Sequence, residues 1–362
     1  MTTDEKFMRR CIELARNGTQ TAPPNPTVGA VIVCDGKIIG EGYHVHCGQG
    51  HAEVNAIASV RDESLLARST MYVSLEPCSH YGKTPPCADL IIRKGIRRVV
   101  VGCIDPFSLV SGRGVRKLRD AGIDVTVGVL EKECRDLIRR FIVFNTQQRP
   151  YVTLKWAESA DGYMDIYRNG GSPVILSSPV SSTHVHKLRA ENKAILVGTN
   201  TARLDNPSLT VRNWYGDNPV RLVIDRRLEL PKSLHLLDGS VLTYVLTQEE
   251  MPDRENVRYV RLDFSKDIVP QILGFLYEKK LQTLMVEGGS KTLQSFIDSG
   301  LWDEAYVEHA EMCLGDGIAS PQLTAGLERT FLKRGGAVIS HYRRRTGDHK
   351  GSPYRKQHIS EI

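Results

Sequence analysis

The sequence of 362 residues lacks any uninterrupted apolar run of about 18 residues, the length that a membrane-spanning helix needs. After Met1, residues 2–6 are polar, so they do not form the apolar core of a secretion signal. From these two absences we expect that the protein has no membrane partner and resides in the cytoplasm.

Residues 1–332 also lack an excess of charge of either sign. The whole chain carries 48 Lys and Arg against 42 Asp and Glu, a formal net charge of +6. Residues 333–362 hold eight basic and two acidic residues, so this C-terminal stretch accounts for the entire surplus. Aromatic residues make up only 7% of the chain. Nucleic-acid binding needs a basic groove with stacking aromatics, so we expect no nucleic-acid partner.

Cysteine is almost missing from the second half of the chain. Seven of the eight cysteines lie by residue 134, and only Cys313 lies beyond. Disulfides are rare in a long chain without a secretion signal, so we expect these thiols to bind metal or to be buried. Any thiolate chemistry should therefore be in the N-terminal half.

Strand-like and helix-like patterns alternate along the chain. Residues 28–43 predict a β-hairpin with a turn at Asp35-Gly36, and residues 51–61 predict a helix. We interpret the polar stretch 145–150 as a linker. Strand patterns recur after it, and residues 337–342 are expected to complete a sheet. The sequence thus predicts two α/β domains.

Four residues of the first half form a pattern typical of a catalytic zinc site. His51, Cys78 and Cys87 would supply one imidazole and two thiolates, which leaves a fourth position open for water. Zinc lowers the pKa of such a water to about 7, and Glu53 can shuttle protons to a leaving amine. This is the arrangement of zinc nucleobase deaminases, in which the glutamate is not a ligand.

The spacing of the cysteines leaves an alternative open. Eight residues separate Cys78 from Cys87, whereas the usual deaminase signature has a much shorter gap. His80 lies in this gap and is a rival ligand. A site with four protein ligands would be closed and structural, and the chain would then be a binding module. That alternative leaves Glu53 without a function.

Residues 76–87, Glu-Pro-Cys-Ser-His-Tyr-Gly-Lys-Thr-Pro-Pro-Cys, resemble the N-terminal domain of the bifunctional riboflavin-biosynthesis deaminase/reductase family. The long gap between the two cysteines belongs to the pattern of that family. Residues 24–29 and 40–44 resemble it as well, and the resemblance implies that Asn25 lies against the substrate.

Two positions near these motifs bear on the substrate. Lys83 is a candidate contact for a substrate phosphate. After Asp105-Pro106 the family pattern continues with Asn and Pro, whereas this chain has Phe107 and Ser108. A substrate contact made by that family asparagine is therefore not expected here.

Four segments of the second half resemble the reductase domain of the same family, in the same order. They are residues 155–162, 198–201, 204–212 and 287–289. The last segment is a strand-to-helix turn, whose glycines let the backbone approach an anion. The resemblance implies a dihydrofolate-reductase-like domain that uses NADPH.

The resemblance also implies which residues contact each ligand. The implied cofactor contacts are Ala157, Val174, Thr201, Asp205, Gly289, Ser290 and Lys291. The implied substrate contacts are Ser172, Arg189, Leu209, Arg212 and Glu287. The guanidinium forks of Arg189 and Arg212 match phosphate oxygens. Val174 stands where many relatives carry an aromatic residue, so a deaminase with an inactive reductase half is an alternative.

For the two predicted α/β domains, the resemblance implies a cytidine-deaminase-like three-layer α/β/α domain over 1–147 and a dihydrofolate-reductase-like α/β domain over 148–345. A basic, mobile tail over 346–362 is expected to follow. The resemblance implies an enzyme that binds Zn²⁺ and NADPH, deaminates a phosphorylated diaminopyrimidinone and then reduces its ribosyl group to ribityl.

We also expect a homo-oligomer, either a dimer or a tetramer. A tRNA base deaminase is a further alternative, which leaves the motifs of the second half unexplained.

Overall fold

The computed structural model describes residues 1–80, 85–105, 112–168, 170–334 and 337–344. The chain divides into two compact units, Met1–Gln147 and Gln148–Ile362. Lys83, Phe107, Ser108 and the tail 346–362 lie outside the described residues. No helix within the described ranges combines the length and the apolar character that a membrane crossing requires.

The first unit is a five-stranded sheet with helices on both faces. Its strands are β1 (Gly29–Cys34), β2 (Lys37–Tyr43), β3 (Thr70–Leu75), β4 (Arg98–Cys103) and β5 (Asp124–Val127). Their order is β2-β1-β3-β4-β5. Strand β1 is antiparallel to β2 and β3, whereas β3, β4 and β5 are parallel. The helices are α1 (Thr3–Ala15), α2 (Ala52–Ala58), α3 (Cys87–Arg93), α4 (Arg113–Asp120), α5 (Glu131–Leu137) and α6 (Arg139–Gln147), with short 3₁₀ helices at Arg16–Gly18 and Glu63–Arg68.

Both faces of this sheet are apolar, and helices cover each of them. One core packs α2, α3 and α4 against alternate strand residues such as Ile32 and Val101. The other packs α1 and α5 against the opposite set, such as Val31 and Val100. Because neighbouring residues of a strand point to opposite faces, strands covered on both sides appear as continuous apolar runs. The predicted three-layer arrangement is confirmed.

Strands β1 and β2 form the predicted hairpin. Asp35 and Gly36 have φ angles of +50° and +74°, as a two-residue type I′ turn requires. Two glycines of β2 serve a different purpose. A Cβ at Gly42 would lie 2.4 Å from Ala56 N, and a Cβ at Gly40 would lie 2.5 Å from Ala56 O. Helix α2 therefore rests directly on the backbone of β2.

Gly42→Ala is expected to push α2 away from β2 and to displace His51 and Glu53 at the start of that helix. Overpacking of this kind costs about 1–3 kcal/mol of stability. We expect a lower melting temperature together with a lower zinc content, measured by calorimetry and metal analysis. In Gly36→Ala the new Cβ meets open space, so this control should lose stability through its positive φ but keep its zinc. Full zinc content and unchanged melting in Gly42→Ala would contradict the close contact.

The second unit is built on a nine-stranded sheet. Its strands are β6 (Tyr151–Glu158), β8 (Ala194–Val197), β9 (Val220–Ile224), β10 (Thr243–Thr247), β11 (Val257–Arg261), β12 (Thr283–Glu287), β13 (Glu304–His309), β15 (Glu328–Arg334) and β16 (Ala337–Arg343), and a separate pair consists of β7 (Tyr163–Asp165) and β14 (Ile318–Ala319). The helices are α7 (Pro179–Ala190), α8 (Thr199–Asp205), α9 (Ile268–Glu278) and α10 (Ser290–Ser299), with a 3₁₀ helix at His235–Leu237.

The strand order of this sheet is β11-β10-β9-β8-β12-β6-β13-β16-β15. The first seven strands in this order, from β11 at the edge through β13, are all parallel. Strand β16 is antiparallel to both β13 and β15. Parallel strands place their C-terminal ends at one edge, where ligands of open α/β sheets bind. The segments 155–162, 198–201 and 287–289 all lie at this edge, which the family resemblance assigns to the reductase site.

The stretch 145–150, interpreted above as a linker, is structured. Helix α6 extends to Gln147, and Arg149 is buried. Arg149 Nη1 and Nη2 each donate to the Asp303 carboxylate at 2.7 Å, and Asp303 Oδ2 also accepts from Val152 N at 2.7 Å. A buried ion pair thus joins the start of β6 to the residue before β13.

Candidate active sites

Three predicted zinc ligands meet at the starts of two helices in the first unit. His51 immediately precedes α2, Cys87 is the first residue of α3, and Cys78 follows β3. His51 Nδ1 lies 3.3 Å from Cys87 Sγ and 3.6 Å from Cys78 Sγ. The three donor atoms lie within 4.8 Å of one another, and no fourth His, Cys, Asp or Glu of the described part joins this group.

The donor set fits a zinc ion. Bonds of about 2.3 Å to sulfur and about 2.0 Å to nitrogen, at tetrahedral angles, separate sulfur from nitrogen by about 3.6 Å. The pKa of the Cys78 thiol is lowered, chiefly by hydrogen bonding with Cys87 and also by His51, although burial opposes this. The pKa of Cys87 is raised by the neighbouring Cys78 and by burial. A divalent cation would remove the repulsion between two thiolates and allow both to ionise.

Glu53 lies in the first turn of α2, next to these ligands. Glu53 is buried, with only 3% of its surface exposed. Burial raises the pKa of its carboxyl to about 7, and the negative charge of Cys78 adds to this effect. A carboxyl with such a pKa can take up and release a proton near neutrality. Glu53 is not part of the three-donor group, and its carboxyl is hydrogen-bonded with the Cys87 thiol.

The other two candidate residues of this site, His80 and Asn25, differ in their position relative to the donor group. His80, the rival ligand, is exposed and does not belong to the donor group. Asn25 Nδ2 donates to His44 Nε2 at 3.1 Å, while His44 Nδ1 donates to Gly50 O at 3.2 Å. The His44 ring meets the His51 ring edge to face, with 5.4 Å between centroids. Asn25 therefore lies close to the ligands, and His44, which was part of a quoted motif but not a predicted site residue, joins the site.

Arg189 and Glu287 form a largely buried ion pair in the second unit. Arg189 Nε and Nη2 lie 2.9 and 2.8 Å from the two Glu287 carboxylate oxygens, and Nη1 donates to Thr210 O at 3.1 Å. Burial alone would raise the pKa of Glu287, but the charge and hydrogen bonds of Arg189 lower it. Lys155 lies opposite Glu287 in the parallel register of β6 and β12, and its positive charge also helps to lower the pKa of Glu287.

The predicted substrate residues of segment 204–212 lie around the same ion pair. Arg212 N donates to His186 Nδ1 at 3.0 Å, and Arg212 Nη1 donates to Thr210 Oγ1 at 3.0 Å. Leu209 is buried and has a φ of 52°, which is uncommon for a residue other than glycine. The structure thus brings Leu209 and Arg212 together with Arg189 and Glu287.

The predicted phosphate turn lies against α8. Gly288 and Gly289 have φ angles of +99° and +78°. A Cβ at Gly288 would lie 3.1 Å from Thr201 Cγ2, and a Cβ at Gly289 would lie 3.3 Å from Thr201 Oγ1. Side chains at these two positions would therefore crowd Thr201. Three further predicted cofactor residues lie near strand or helix ends, namely Ala157 in β6 and Ser290 and Lys291 in the first turn of α10.

Asp205 pairs with a residue that was not predicted to belong to the site. The buried guanidinium of Arg168 contacts both Asp205 and Asp165, with Nε donating to Asp165 Oδ2 at 2.6 Å. Asp165 Oδ1 also accepts from Val174 N at 3.2 Å. Arg168 thus links the segment that carries Val174 to the end of α8, while Ser172 in the same segment is exposed.

Known proteins match both units. Residues 1–103 match the family model for the cytidine and deoxycytidylate deaminase zinc-binding region, and residues 150–333 match that for the RibD C-terminal domain. The riboflavin biosynthesis protein RibD of Aquifex aeolicus is 44% identical over 321 residues, which cover 87% of this chain and 89% of that protein. The chain belongs to the RibD family. RibD of Escherichia coli K12 is 36% identical over 344 residues, covering 90% and 92% of the two chains.

Solved RibD structures share the fold of this chain. A crystal structure from Thermotoga maritima, described as a diaminohydroxyphosphoribosylaminopyrimidine deaminase/5-amino-6-(5-phosphoribosylamino)uracil reductase, has a TM-score of 0.85 and 38% identity, and the match covers 94% of this chain and 98% of that one. Acinetobacter baumannii RibD has a TM-score of 0.81 and 30% identity, with the same coverage. The predicted family and fold classes are confirmed, and the chain is a RibD enzyme with deaminase and reductase domains. The tRNA-deaminase and deaminase-only alternatives are not favoured, because the second half matches the RibD reductase domain.

Proposed function

We propose that this enzyme catalyses two consecutive reactions on one phosphorylated pyrimidine. The first is hydrolytic deamination of 2,5-diamino-6-(5-phosphoribosylamino)pyrimidin-4(3H)-one. The second is NADPH-dependent reduction of the ribosyl group of 5-amino-6-(5-phosphoribosylamino)uracil to ribityl. The observation that carries the proposal is the meeting of His51, Cys78 and Cys87 beside the buried Glu53 in a chain of the RibD family.

We assign the deaminase to residues 1–147 and the reductase to 148–345, with the basic tail 346–362 outside both. The division of the chain between Gln147 and Gln148 supports this assignment. The dimer or tetramer and the cytoplasmic location expected from the sequence stay predictions.

In the deaminase site, His51, Cys78 and Cys87 would hold Zn²⁺, which when bound supplies a Lewis acid that makes water nucleophilic near neutral pH. Glu53 would take a proton from that water and deliver it to the amino group on the attacked ring carbon. The amino group leaves as ammonia and a carbonyl replaces it, so one water is consumed for each ammonia released. Asn25, oriented by His44, would bind the ring.

In the reductase site, NADPH supplies the hydride, so the protein has to bind and orient two ligands. We assign the cofactor to Ala157, Val174, Thr201, Asp205, Gly289, Ser290 and Lys291. We assign the substrate to Ser172, Arg189, Leu209, Arg212 and Glu287. Because Glu287 balances the charge of Arg189, the net positive charge offered to the substrate phosphate would come from Arg212 and Lys155.

NADPH oxidation tests both halves of the proposal. With 5-amino-6-(5-phosphoribosylamino)uracil present, the purified enzyme is expected to oxidise NADPH, and without a pyrimidine it should not. With the diaminopyrimidinone as the starting compound, we expect one NADPH oxidised for each ammonia released, after a lag. Absorbance at the NADPH band and an ammonia assay follow the two steps. Ammonia release without any NADPH oxidation would leave a deaminase alone, and NADPH oxidation without ammonia release would leave a reductase alone.

A further inference from the structure

The carboxylate of Glu76 accepts hydrogen bonds from four main-chain N–H groups in the first unit. Oε2 accepts from Asp105 N at 3.2 Å and from Gly112 N at 2.9 Å. Oε1 accepts from Gly114 N at 2.8 Å and from Val115 N at 3.2 Å. Glu76 is 5% exposed, so these bonds form where little water competes for them. Charge-assisted bonds to four backbone groups hold the main chain around Glu76 in one arrangement.

Glu76 caps helix α4 from a distant part of the chain. The residue before α4 is Gly112, which has no side chain to accept from the first-turn N–H groups. The carboxylate of Glu76, which follows the end of β3, accepts hydrogen bonds from these N–H groups instead. A negative charge at a helix N-terminus is also favourable. The packing is close, since a Cβ at Gly114 would lie 2.0 Å from Pro77 O. The first turn of α4 therefore rests on the peptide group that joins Pro77 to Cys78.

This contact fixes the main chain on one side of a predicted zinc ligand. On the other side, Cys78 O accepts from Ala88 N at 3.1 Å, and Cys78 Sγ accepts from Cys87 N at 3.3 Å. We infer that Glu76 is a positioning residue of the deaminase site, whose carboxylate sets the position of the Cys78 sulfur relative to His51. The inference rests on the proposed deaminase function and adds a residue that is not one of the three candidate metal donors.

Glu76→Gln tests this role, because it keeps the size of the side chain but replaces one acceptor oxygen by an amide nitrogen that faces N–H donors. We expect zinc at the wild-type ratio and a fall of about 10- to 100-fold in kcat/KM for ammonia release, as for other residues that orient metal ligands. In the cobalt-substituted protein, the thiolate-to-cobalt and d–d absorption bands should shift, because they report ligand geometry. NADPH oxidation with the deaminated pyrimidine should not change. Glu63→Gln, whose side chain is 59% exposed on the same unit, is the matched control and should change none of these readouts.

Gly114→Ala strains the same contact while Glu76 keeps its carboxylate, because the new Cβ would lie 2.0 Å from Pro77 O and 3.2 Å from Glu76 Cγ. We expect it to shift the cobalt bands and to lower kcat/KM as well, because its Cβ would displace the Pro77–Cys78 peptide. If Glu76 served only the stability of the fold, Glu76→Gln would melt at a lower temperature with wild-type KM, kcat and cobalt spectrum, and that result would overturn the inference.

Two further outcomes are also decisive. If Glu76→Gln does not fold, wild-type kinetics and a wild-type cobalt spectrum in Gly114→Ala would overturn the inference. If the wild-type enzyme releases no ammonia, the proposed function fails, and the cobalt spectra of the two variants still decide whether Glu76 positions Cys78.

Discussion

Glu53→Gln is expected to lower the rate of ammonia release by about 10²- to 10⁴-fold while zinc stays bound. The amide of glutamine has nearly the same size, but it cannot take a proton from water and pass it to a leaving amine. Glu53 is buried beside the donor group without belonging to it, so the three ligand atoms of His51, Cys78 and Cys87 remain in place. Metal analysis and an ammonia assay on the same sample give the two values.

The control for this variant is Glu133→Gln, on the exposed side of α5 in the same unit. It should release ammonia at the wild-type rate. NADPH oxidation with the deaminated pyrimidine should be normal in both variants, which shows that the second unit is intact. Wild-type ammonia release by Glu53→Gln would rule out proton transfer by this residue, and loss of zinc would indicate that Glu53 acts as a ligand.

Cys78→Ala is expected to remove zinc and, with it, deamination. Loss of an outer partner of a metal ligand already costs about 10- to 100-fold in affinity or activity, so the loss of one of three ligands should exceed about 100-fold. The remaining pair, His51 and Cys87, cannot complete a catalytic zinc site, which has three protein ligands. NADPH oxidation with the deaminated pyrimidine should continue, because the predicted reductase residues lie in the other unit.

A second cysteine provides the comparison. Cys34 is buried at the end of β1 and lies outside the donor group, so Cys34→Ala should keep zinc and ammonia release. Zinc retained at full ratio in Cys78→Ala would refute the ligand assignment. It would also revive the hypothesis that His80 binds the metal.

The candidate zinc donors could be recognised in the sequence because their chemistry is carried by side chains of distinctive type. His51, Cys78 and Cys87 are recognisable as donors wherever they lie, and the structure brings them together. The role of Glu76 could not be predicted in this way. Its four partners are backbone N–H groups, which every residue except proline has, and they lie 29 to 39 positions further along the chain. A sequence shows the carboxylate but not the main chain that surrounds it.

The fold of the second unit shows the same limit. Local patterns predicted recurring strands in this unit, including the one at 337–342, which is β16 in the structure. They could not predict that β16 lies between β13 and β15, because strand order is set by packing between distant segments. The pairing of Arg189 with Glu287, 98 positions apart, was likewise not predicted, although each residue was a predicted substrate contact. Nor did any local signal point to Arg168 as the partner of Asp205.

The ion pair between Arg149 and Asp303 limits where the chain can be divided if the second unit is to be produced alone. A polypeptide that begins at residue 150 would lose the guanidinium and leave the Asp303 carboxylate buried without its cation. Stranding one partner of a buried pair costs about 3–5 kcal/mol, against a total stability of about 5–15 kcal/mol for a domain. The polar stretch 145–150, which resembles a linker between the two halves, thus contains Arg149, a residue that the reductase half needs for its stability. A gene for that half alone has to start upstream of the codon for Arg149.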